Sequence, residues 1–315
     1  MYKALNYWVF GGFGPNKTPY EFIDFARTKG LDGVELTVGD CLPVDISEAD
    51  CRKIATYAKA RGIGLRTLAT GLYGSMNLGA ADEAERRRAV DFTKAYLQIA
   101  AWIGAETILV IPGSAHVAWD ASRPVVPYRT VWENSVKSLN ELIPLAEELG
   151  VNLALENVWM RFLLSPMEWK LFLDQFKTGR LGMYFDVGNC LLYAPPEDYV
   201  EILGAQRIKA VHIKNWQGTD CGGTLHGFGD SLLTGEVDYR RLFAALAKAG
   251  YDRTLTVEMI PFARLPNLDL PDRALAEKVV AELHQIVARA SFGELAAFRQ
   301  TILRSGSESH TDRSL

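Results

Sequence analysis

The chain has 315 residues, a net charge of −4 and a hydrophobic fraction of 48%. A chain of this length buries enough surface to fold without disulfide bonds, and its four cysteines show no zinc-type spacing. The negative charge argues against a nucleic-acid partner, because a phosphate backbone requires a basic surface. No apolar stretch approaches the roughly 20 residues of a membrane helix, and the first residues enter a strand-like run rather than a signal segment. We therefore expect a cytoplasmic protein with reduced thiols that binds neither nucleic acid nor membrane.

Eight short apolar runs recur along the chain, and each is followed by a segment with a helical pattern. The runs are nearly continuous rather than alternating, as in parallel strands that are covered on both faces. They begin near Ala4, Asp32, Gly64, Glu106, Val151, Leu181, Ile208 and Thr254. Alternating strands and helices with short connections imply a parallel sheet. Eight such units without a second composition zone predict an α/β fold, a single (β/α)₈ TIM barrel, with a doubly wound open sheet as the alternative.

Two kinds of signal mark the predicted helix ends. Thr18 and Ser165 are each followed by proline and, three residues later, by glutamate, which is the pattern of a capping box. Glycine follows six helical segments, where a left-handed C-terminal cap belongs. These glycines stand at positions 30, 62, 104, 150, 204 and 250.

The chain continues beyond the eighth strand with further helical patterns. We predict the last barrel helix over residues 273–290 and a short additional helix over residues 292–303. The final residues, SGSESHTDRSL, form a polar tail that is typical of frayed termini. The predicted organisation is therefore a barrel domain over residues 1–290, with a C-terminal helix and polar tail over residues 291–315.

Ionisable residues end four consecutive apolar runs. Function in such barrels lies at the C-terminal ends of the strands, and strands five to eight end in Glu156, Asp186, His212 and Glu258. Three crowded carboxylates resist ionisation unless a cation holds them. One histidine with three carboxylates suits Mn²⁺, Co²⁺ or Mg²⁺, and the lack of thiolate ligands argues against structural zinc. The alternative is that each is an isolated surface or salt-bridged residue.

Three stretches of the sequence resemble the sugar phosphate isomerase/epimerase family. They are LENVWMRFLLSPMEW, YFDVGNCLLYAPPEDYVEILGAQRIKAVHIKNW and LLTGEVDYRRLFAALAKAGYDRTLTVEM. The barrels of this family are similar to xylose isomerase, and its members include ketose 3-epimerases and L-xylulose-5-phosphate 3-epimerases. The resemblance implies that Glu156, Asp186, His212 and Glu258 bind one divalent ion, with Mn²⁺ expected ahead of Co²⁺ and Mg²⁺. It also implies that Glu156 and Glu258 form the proton-transfer pair.

The resemblance implies an isomerase that inverts C3 of a ketose or ketose phosphate. Such an enzyme removes the C3 proton through a metal-stabilised cis-enediolate and returns it to the opposite face. An aldose–ketose isomerase or a polyol dehydratase would use the same metal site. A sugar-binding barrel without catalytic activity is a further alternative. We also expect a homo-oligomer, either a dimer or a tetramer.

Further residues are predicted to contact the substrate near the mouth of the barrel. They are Trp8, Glu35, His116, Asn157, Arg161, Asn189, Lys214 and His226. Arg161 and Lys214 are candidates to bind an anionic group, with solvated loop charges as the alternative. His226 lies in a glycine-rich stretch over residues 221–229 that is a candidate lid, with a plain surface histidine as the alternative.

Two positions bear on the charge of the substrate. Family members that act on free sugars tend to carry a histidine three residues after the metal aspartate, where Asn189 stands here in a DVGN motif. They also tend to carry an arginine six residues after the metal histidine, where Gly218 stands here. The resemblance therefore favours a ketose 5-phosphate over a free ketose.

Overall fold

Eight parallel strands pair in chain order, and the eighth pairs with the first, which closes the sheet into a barrel. This computed structural model describes residues 1–117, 119–218, 225–261 and 270–308, with residues 291–308 described by their backbone only. The closed parallel sheet with surrounding helices confirms the predicted (β/α)₈ barrel and rules out the open doubly wound sheet.

The strands begin within two residues of the predicted positions. Their bounds are β1 Tyr2–Asn6, β2 Gly33–Thr37, β3 Gly64–Ala69, β4 Thr107–Val110, β5 Asn152–Glu156, β6 Leu181–Asp186, β7 Ile208–Ile213 and β8 Thr254–Val257. The helices of the described residues are α1 Tyr7–Gly11, α2 Pro19–Thr28, α3 Glu48–Ala60, α4 Glu83–Ile103, α5 Tyr128–Leu149, α6 Pro166–Leu173, α7 Pro196–Leu203, α8 Tyr239–Lys248 and α9 Arg273–Glu308. Two single 3₁₀ turns cover Leu72–Gly74 and Leu225–Gly227.

The continuous apolar runs are explained by complete burial of the strands. Every residue of β2, β4, β6, β7 and β8 is buried between the barrel interior and the surrounding helices. A strand that is covered on both faces has no solvent side, so its sequence does not alternate. An ionisable residue within such a strand therefore needs a partner inside the barrel.

The predicted helix signals are mostly confirmed. Both capping boxes form, with Thr18 before α2 and Ser165 before α6. The six glycines that follow helices all have positive φ, as a C-terminal cap requires. Gly204 differs from the others in backbone conformation, because its positive φ is combined with a ψ of 156°, which lies outside the left-handed helical region.

Two predicted elements differ in the structure. The first apolar run leaves the strand at Asn6, whose side chain accepts a hydrogen bond from the Trp8 amide at 2.8 Å and starts α1. Periodicity alone does not distinguish a short buried strand from a buried helical turn. The last barrel helix and the predicted short helix are one continuous helix, α9, which runs to Glu308. The first four residues of the predicted polar tail, 305–308, belong to α9 rather than to a frayed terminus, and residues 309–315 lie outside the described residues.

The structure describes three of the four cysteines. Cys41, Cys51 and Cys190 are free and buried, whereas Cys221 lies outside the described residues.

Among the helices of the described chain, none combines the length and the apolar character that a membrane crossing requires.

We expect Ser165→Ala to lower the free energy of unfolding by about 1 kcal/mol, which is the usual cost of losing a helix N-cap. The substitution removes the oxygen that accepts a hydrogen bond from the Glu168 amide at 3.2 Å. Urea denaturation followed by circular dichroism measures the change. Thr18→Ala removes the matching bond before α2 and should cost a similar amount. Ser165→Asp keeps an acceptor, so an equal loss in Ser165→Asp and Ser165→Ala would contradict the capping role.

Candidate active site

Four ionisable side chains meet at the C-terminal mouth of the barrel. Glu156 and Asp186 are the last residues of β5 and β6. His212 is the penultimate residue of β7, and Glu258 directly follows β8. One nitrogen or oxygen atom from each lies within 4.8 Å of the others. All four are buried, so they form one cluster rather than isolated surface residues.

The His212 ring has a different environment at each nitrogen. Nδ1 faces the cluster, at 3.1 Å from Glu156 Oε1, 3.6 Å from Glu258 Oε2 and 3.9 Å from Asp186 Oδ2. Nε2 lies on the other side, at 2.8 Å from Glu35 Oε1. When the ring is neutral, a proton on Nε2 that is donated to Glu35 leaves the Nδ1 lone pair directed at the space between the carboxylates. Nδ1 is therefore the nitrogen that is available to a metal ion.

Burial of the cluster changes the ionisation of its members. Burial raises the pKa of Glu156 to about 7, although the hydrogen bond with His212 opposes this shift. Burial also raises the pKa of Asp186. Burial alone would lower the pKa of His212, but the charges of Glu258 and Glu35 outweigh it and raise this pKa well above its ordinary value. A cation close to the carboxylates would favour their ionised forms.

Lys214 is the cation that the structure places within the cluster. Its Nζ lies 2.8 Å from Asp186 Oδ2 and 2.6 Å from Glu258 Oε2. Burial alone would lower the pKa of Lys214, but these two carboxylates raise it, so the side chain is charged. Gly188 makes room for this arrangement, because a Cβ there would overlap Lys214 Cγ. The residue predicted to bind a substrate anion is therefore already paired with carboxylates.

The donor set fits one divalent cation. With all three carboxylates ionised and His212 neutral, the single ammonium leaves two negative charges, which one divalent ion would balance. Carboxylate oxygens with one imidazole nitrogen suit several divalent metals, Mn²⁺ among them. The four residues Glu156, Asp186, His212 and Glu258 can therefore hold one metal ion.

Glu35 lies beneath His212 rather than at the cavity wall. It is fully buried on β2 and accepts hydrogen bonds from Asn6 Nδ2 at 2.8 Å and from the Tyr184 hydroxyl. Burial would raise the pKa of Glu35, but the charge of His212 and the hydrogen bond with it lower the pKa overall. The residue predicted to contact the substrate is instead an ionised acceptor that orients His212. Sequence reasoning missed Asn6 and Tyr184, although Tyr184 lies two residues before Asp186 and thus on the same strand face.

Asn157 and Asn189 join the ends of β5 and β6. Asn157 Nδ2 donates to the Asp186 carbonyl, and Asn157 Oδ1 accepts from the Asp186 amide, both at 2.8 Å. The Asn189 amide donates to Asp186 Oδ1 at 2.8 Å, and Asn189 Nδ2 donates to the Asn157 carbonyl at 2.9 Å. The side-chain amide of Asn157 is thus occupied by backbone groups. Together the two asparagines fix the position of Asp186.

A cavity of about 400 Å³ opens above the carboxylate cluster. Its polar lining includes Glu156, Glu258, Lys214 and Asn189. Most of the remaining wall is apolar, and its aromatic members are Trp8, Phe13, Tyr73, Trp119, Trp159 and Phe228. Of the eight residues predicted to contact substrate, Trp8, Asn189 and Lys214 line this cavity.

Three other predicted residues lie away from the described cavity lining. Arg161 is exposed and has a positive φ of 52°. His116 is half-buried, and its backbone amide donates to the Met160 carbonyl at 3.2 Å. His226 is exposed in the 3₁₀ turn after β7. The first part of the predicted lid, residues 221–224, lies outside the described residues.

We expect Glu35→Gln to weaken Mn²⁺ binding by about 10–100-fold, as is typical when the hydrogen-bond partner of a metal-binding histidine is lost. The neutral amide no longer holds the Nε2 proton of His212 as firmly, so Nδ1 becomes a weaker ligand. Calorimetric titration of chelator-treated protein measures the affinity. Glu106→Gln is the matched control, because Glu106 is exposed and pairs with Arg66 away from the cluster. Unchanged Mn²⁺ affinity in folded Glu35→Gln protein would contradict this role.

Comparison with known proteins identifies a family model and several relatives that this chain resembles. Residues 23–285 match the family model described as xylose isomerase-like TIM barrel. A putative L-ribulose-5-phosphate 3-epimerase of Escherichia coli K12, SgbU, is 25% identical over 249 residues, which cover 76% of this chain and 82% of that protein. The L-ribulose 3-epimerase of Mesorhizobium japonicum is 25% identical over 236 residues, which cover 74% of this chain and 72% of that protein.

A solved structure shows the same fold at lower sequence identity. The D-psicose 3-epimerase of Clostridium cellulolyticum H10, solved with D-tagatose, superposes with a TM-score of 0.74 at 18% identity. The match covers 93% of this chain and 99% of that one. Because the family model spans most of the barrel, from residue 23 to residue 285, the chain belongs to the xylose isomerase-like TIM barrel family.

Proposed function

We propose that this protein is a divalent-metal-dependent 3-epimerase of a ketose. The proposal rests on the positions of two glutamates. Glu156 ends β5 and Glu258 follows β8, so the two lie on either side of Asp186 and His212. Both glutamates line the cavity, so both can reach a bound substrate. The two relatives named as 3-epimerases support the same reaction class.

Inversion at C3 requires the removal of a weakly acidic proton next to a ketone. A divalent cation, when bound, supplies an electrophile that polarises the ketone and stabilises the negative charge that develops on the substrate. Glu156, Asp186, His212 and Glu258 would hold it. Asp186 and His212 are not among the described residues that line the cavity, whereas both glutamates are, so the proton chemistry falls to the two glutamates.

The two glutamates have complementary roles in this proposal. One removes the C3 proton from one face of the substrate, and the other returns a proton to the opposite face. Burial, which raises the pKa of Glu156 to about 7, gives this carboxylate useful basicity near neutral pH. The reverse reaction exchanges the roles of Glu156 and Glu258.

Lys214 contributes a fixed positive charge beside the reacting carbons. Its ammonium group lies on the cavity wall and contacts Asp186 and Glu258. This charge offsets part of the negative charge of Asp186 and Glu258, which reduces their repulsion of the negative charge that develops when the proton leaves. In a site that excludes water, such a preoriented charge has a stronger effect than it would have in bulk solvent.

We expect Glu156→Gln and Glu258→Gln each to lower epimerisation by about 10²–10⁴-fold, the usual cost of losing a positioned base. In D₂O with saturating Mn²⁺, each variant should still exchange the C3 proton of the one epimer whose proton faces the remaining glutamate. Proton NMR of both epimers measures exchange and inversion separately. Near-normal inversion by either variant would contradict the two-base assignment. An aldose or a dehydrated product would instead indicate an isomerase or a dehydratase.

We expect chelator treatment to abolish turnover and added Mn²⁺ or Co²⁺ to restore it, because the carboxylates alone supply no electrophile. Turnover is measured with a panel of free and phosphorylated ketoses before and after metal removal. Metal content of the purified protein, measured by mass spectrometry, accompanies the assay. Full activity in verified metal-free protein would contradict metal dependence.

A further inference from the structure

The cavity wall above the carboxylates presents aromatic surface rather than hydrogen-bonding groups. Trp8, Tyr73, Trp119, Trp159 and Phe228 contribute ring surface to it. Its volume of about 400 Å³ falls within the range of roughly 300–1,000 Å³ that is typical of pockets for drug-sized ligands. The cavity therefore has room for a group attached to a monosaccharide.

Most polar atoms of this wall are already bonded to protein. Among the described aromatic side chains of the lining that carry a polar group, the indole N–H of Trp119 is the exception, and it lies on a side chain that is 47% exposed. The bonds of the others and of Thr70 are Trp8 Nε1 to Asp40 Oδ2 (2.7 Å), Trp159 Nε1 to the Asn189 carbonyl (3.2 Å), Tyr73 with Thr93 Oγ1 (2.7 Å), and Thr70 Oγ1 to the Val38 carbonyl (2.8 Å). A sugar hydroxyl buried against these rings would lose its bonds to water without replacement.

The described cavity lining also offers no available cation for a phosphate group. Lys214 is its only basic side chain, and Asp186 and Glu258 already neutralise it at 2.8 and 2.6 Å. Arg161, the second residue predicted to bind an anion, is exposed and lies outside the lining. A phosphate in this cavity would therefore face aromatic rings and the carboxylates of Glu156 and Glu258.

Two glycines keep part of the aromatic surface accessible. A Cβ at Gly71 would lie 3.6 Å from Trp8 Cζ2, and a Cβ at Gly74 would lie 3.9 Å from Trp119 Nε1. Larger side chains at these positions would fill the space against the two indoles. Their absence leaves a surface on which an apolar or aromatic group can stack.

We propose that the substrate is a ketose that carries an apolar substituent, either alkyl or aryl, instead of a phosphate. This inference rests on the proposed epimerase function and specifies its substrate class. Burial of the substituent against the rings removes apolar surface from water, which is favourable. The ketone and the C3 hydroxyl then lie over the polar floor formed by Glu156, Glu258 and Lys214.

The experiment compares four matched ligands with the Mn²⁺-loaded protein. They are D-fructose, 6-deoxy-D-fructose, 6-O-benzyl-D-fructose and D-fructose 6-phosphate. We expect kcat/KM for the benzyl ether to exceed that for fructose by about 10-fold or more, because even one additional methylene in an apolar pocket changes selectivity by about 10-fold. The deoxy sugar should fall between them, and the phosphate should be the poorest substrate.

The same ligands distinguish failure of this inference from failure of the proposed function. Fastest turnover of fructose or of the phosphate would overturn the inference and leave the epimerase function standing. Absence of turnover for all four ligands, and for the panel of free and phosphorylated ketoses described above, would overturn the epimerase function. In that case, tighter calorimetric binding of the benzyl ether than of fructose would support an apolar pocket. Equal binding of the two ligands would overturn the substrate inference as well as the epimerase function.

A tryptophan pair supplies the matched variants. Trp119→Ala should lower the ratio of kcat/KM between the benzyl ether and fructose by about 10-fold, because it removes ring surface from the cavity wall. Trp102→Ala is the control, since Trp102 is also partly buried but packs against the core on α4. If Trp119→Ala leaves the ratio of kcat/KM between the benzyl ether and fructose unchanged, the aromatic wall does not determine substrate selectivity and the inference is overturned.

Discussion

Crowding of acidic side chains at one end of a closed barrel is the constraint on which the site depends. Glu156, Asp186 and Glu258 are buried together, and Lys214 supplies the positive charge that contacts two of them. Unpaired buried charges are costly, so the remaining negative charge demands either protons or a cation. The raised pKa of Glu156 shows that protonation of a carboxylate is one way to reduce this negative charge. A divalent ion would be the second, and it would leave the carboxylates ionised for catalysis.

The barrel holds this cluster together through several layers of contacts. Strand register places Asp186 opposite His212, and two asparagine side chains link the ends of β5 and β6. Below the cluster, Glu35 binds the far nitrogen of His212 and is itself held by Asn6 and Tyr184. Rigid support of this kind keeps ligands in position before the metal or substrate arrives.

Sequence reasoning predicted the barrel and the four clustered residues because an ionisable residue at the end of a buried strand is unusual and easily seen. It did not predict the partners of Glu35 and Lys214. Lys214 lies two residues after His212, but its inward direction depends on the space that Gly188 leaves on the neighbouring loop. The DVGN motif has a structural explanation in similar contacts, since its glycine admits Lys214 and the side-chain amide of its asparagine donates to the Asn157 carbonyl. Such contacts between distant segments leave no periodic signal in one sequence.

Anomalous diffraction from crystals grown with Mn²⁺ shows whether the strand-end residues form one divalent metal site. We expect one strong anomalous peak within about 2.0–2.3 Å of a nitrogen or oxygen atom of each residue, which is the usual distance for first-row divalent ions. Those residues are Glu156, Asp186, His212 and Glu258, with His212 bound through Nδ1. No peak at the barrel mouth, or a peak that is in contact with only two of the four residues, would contradict this assignment.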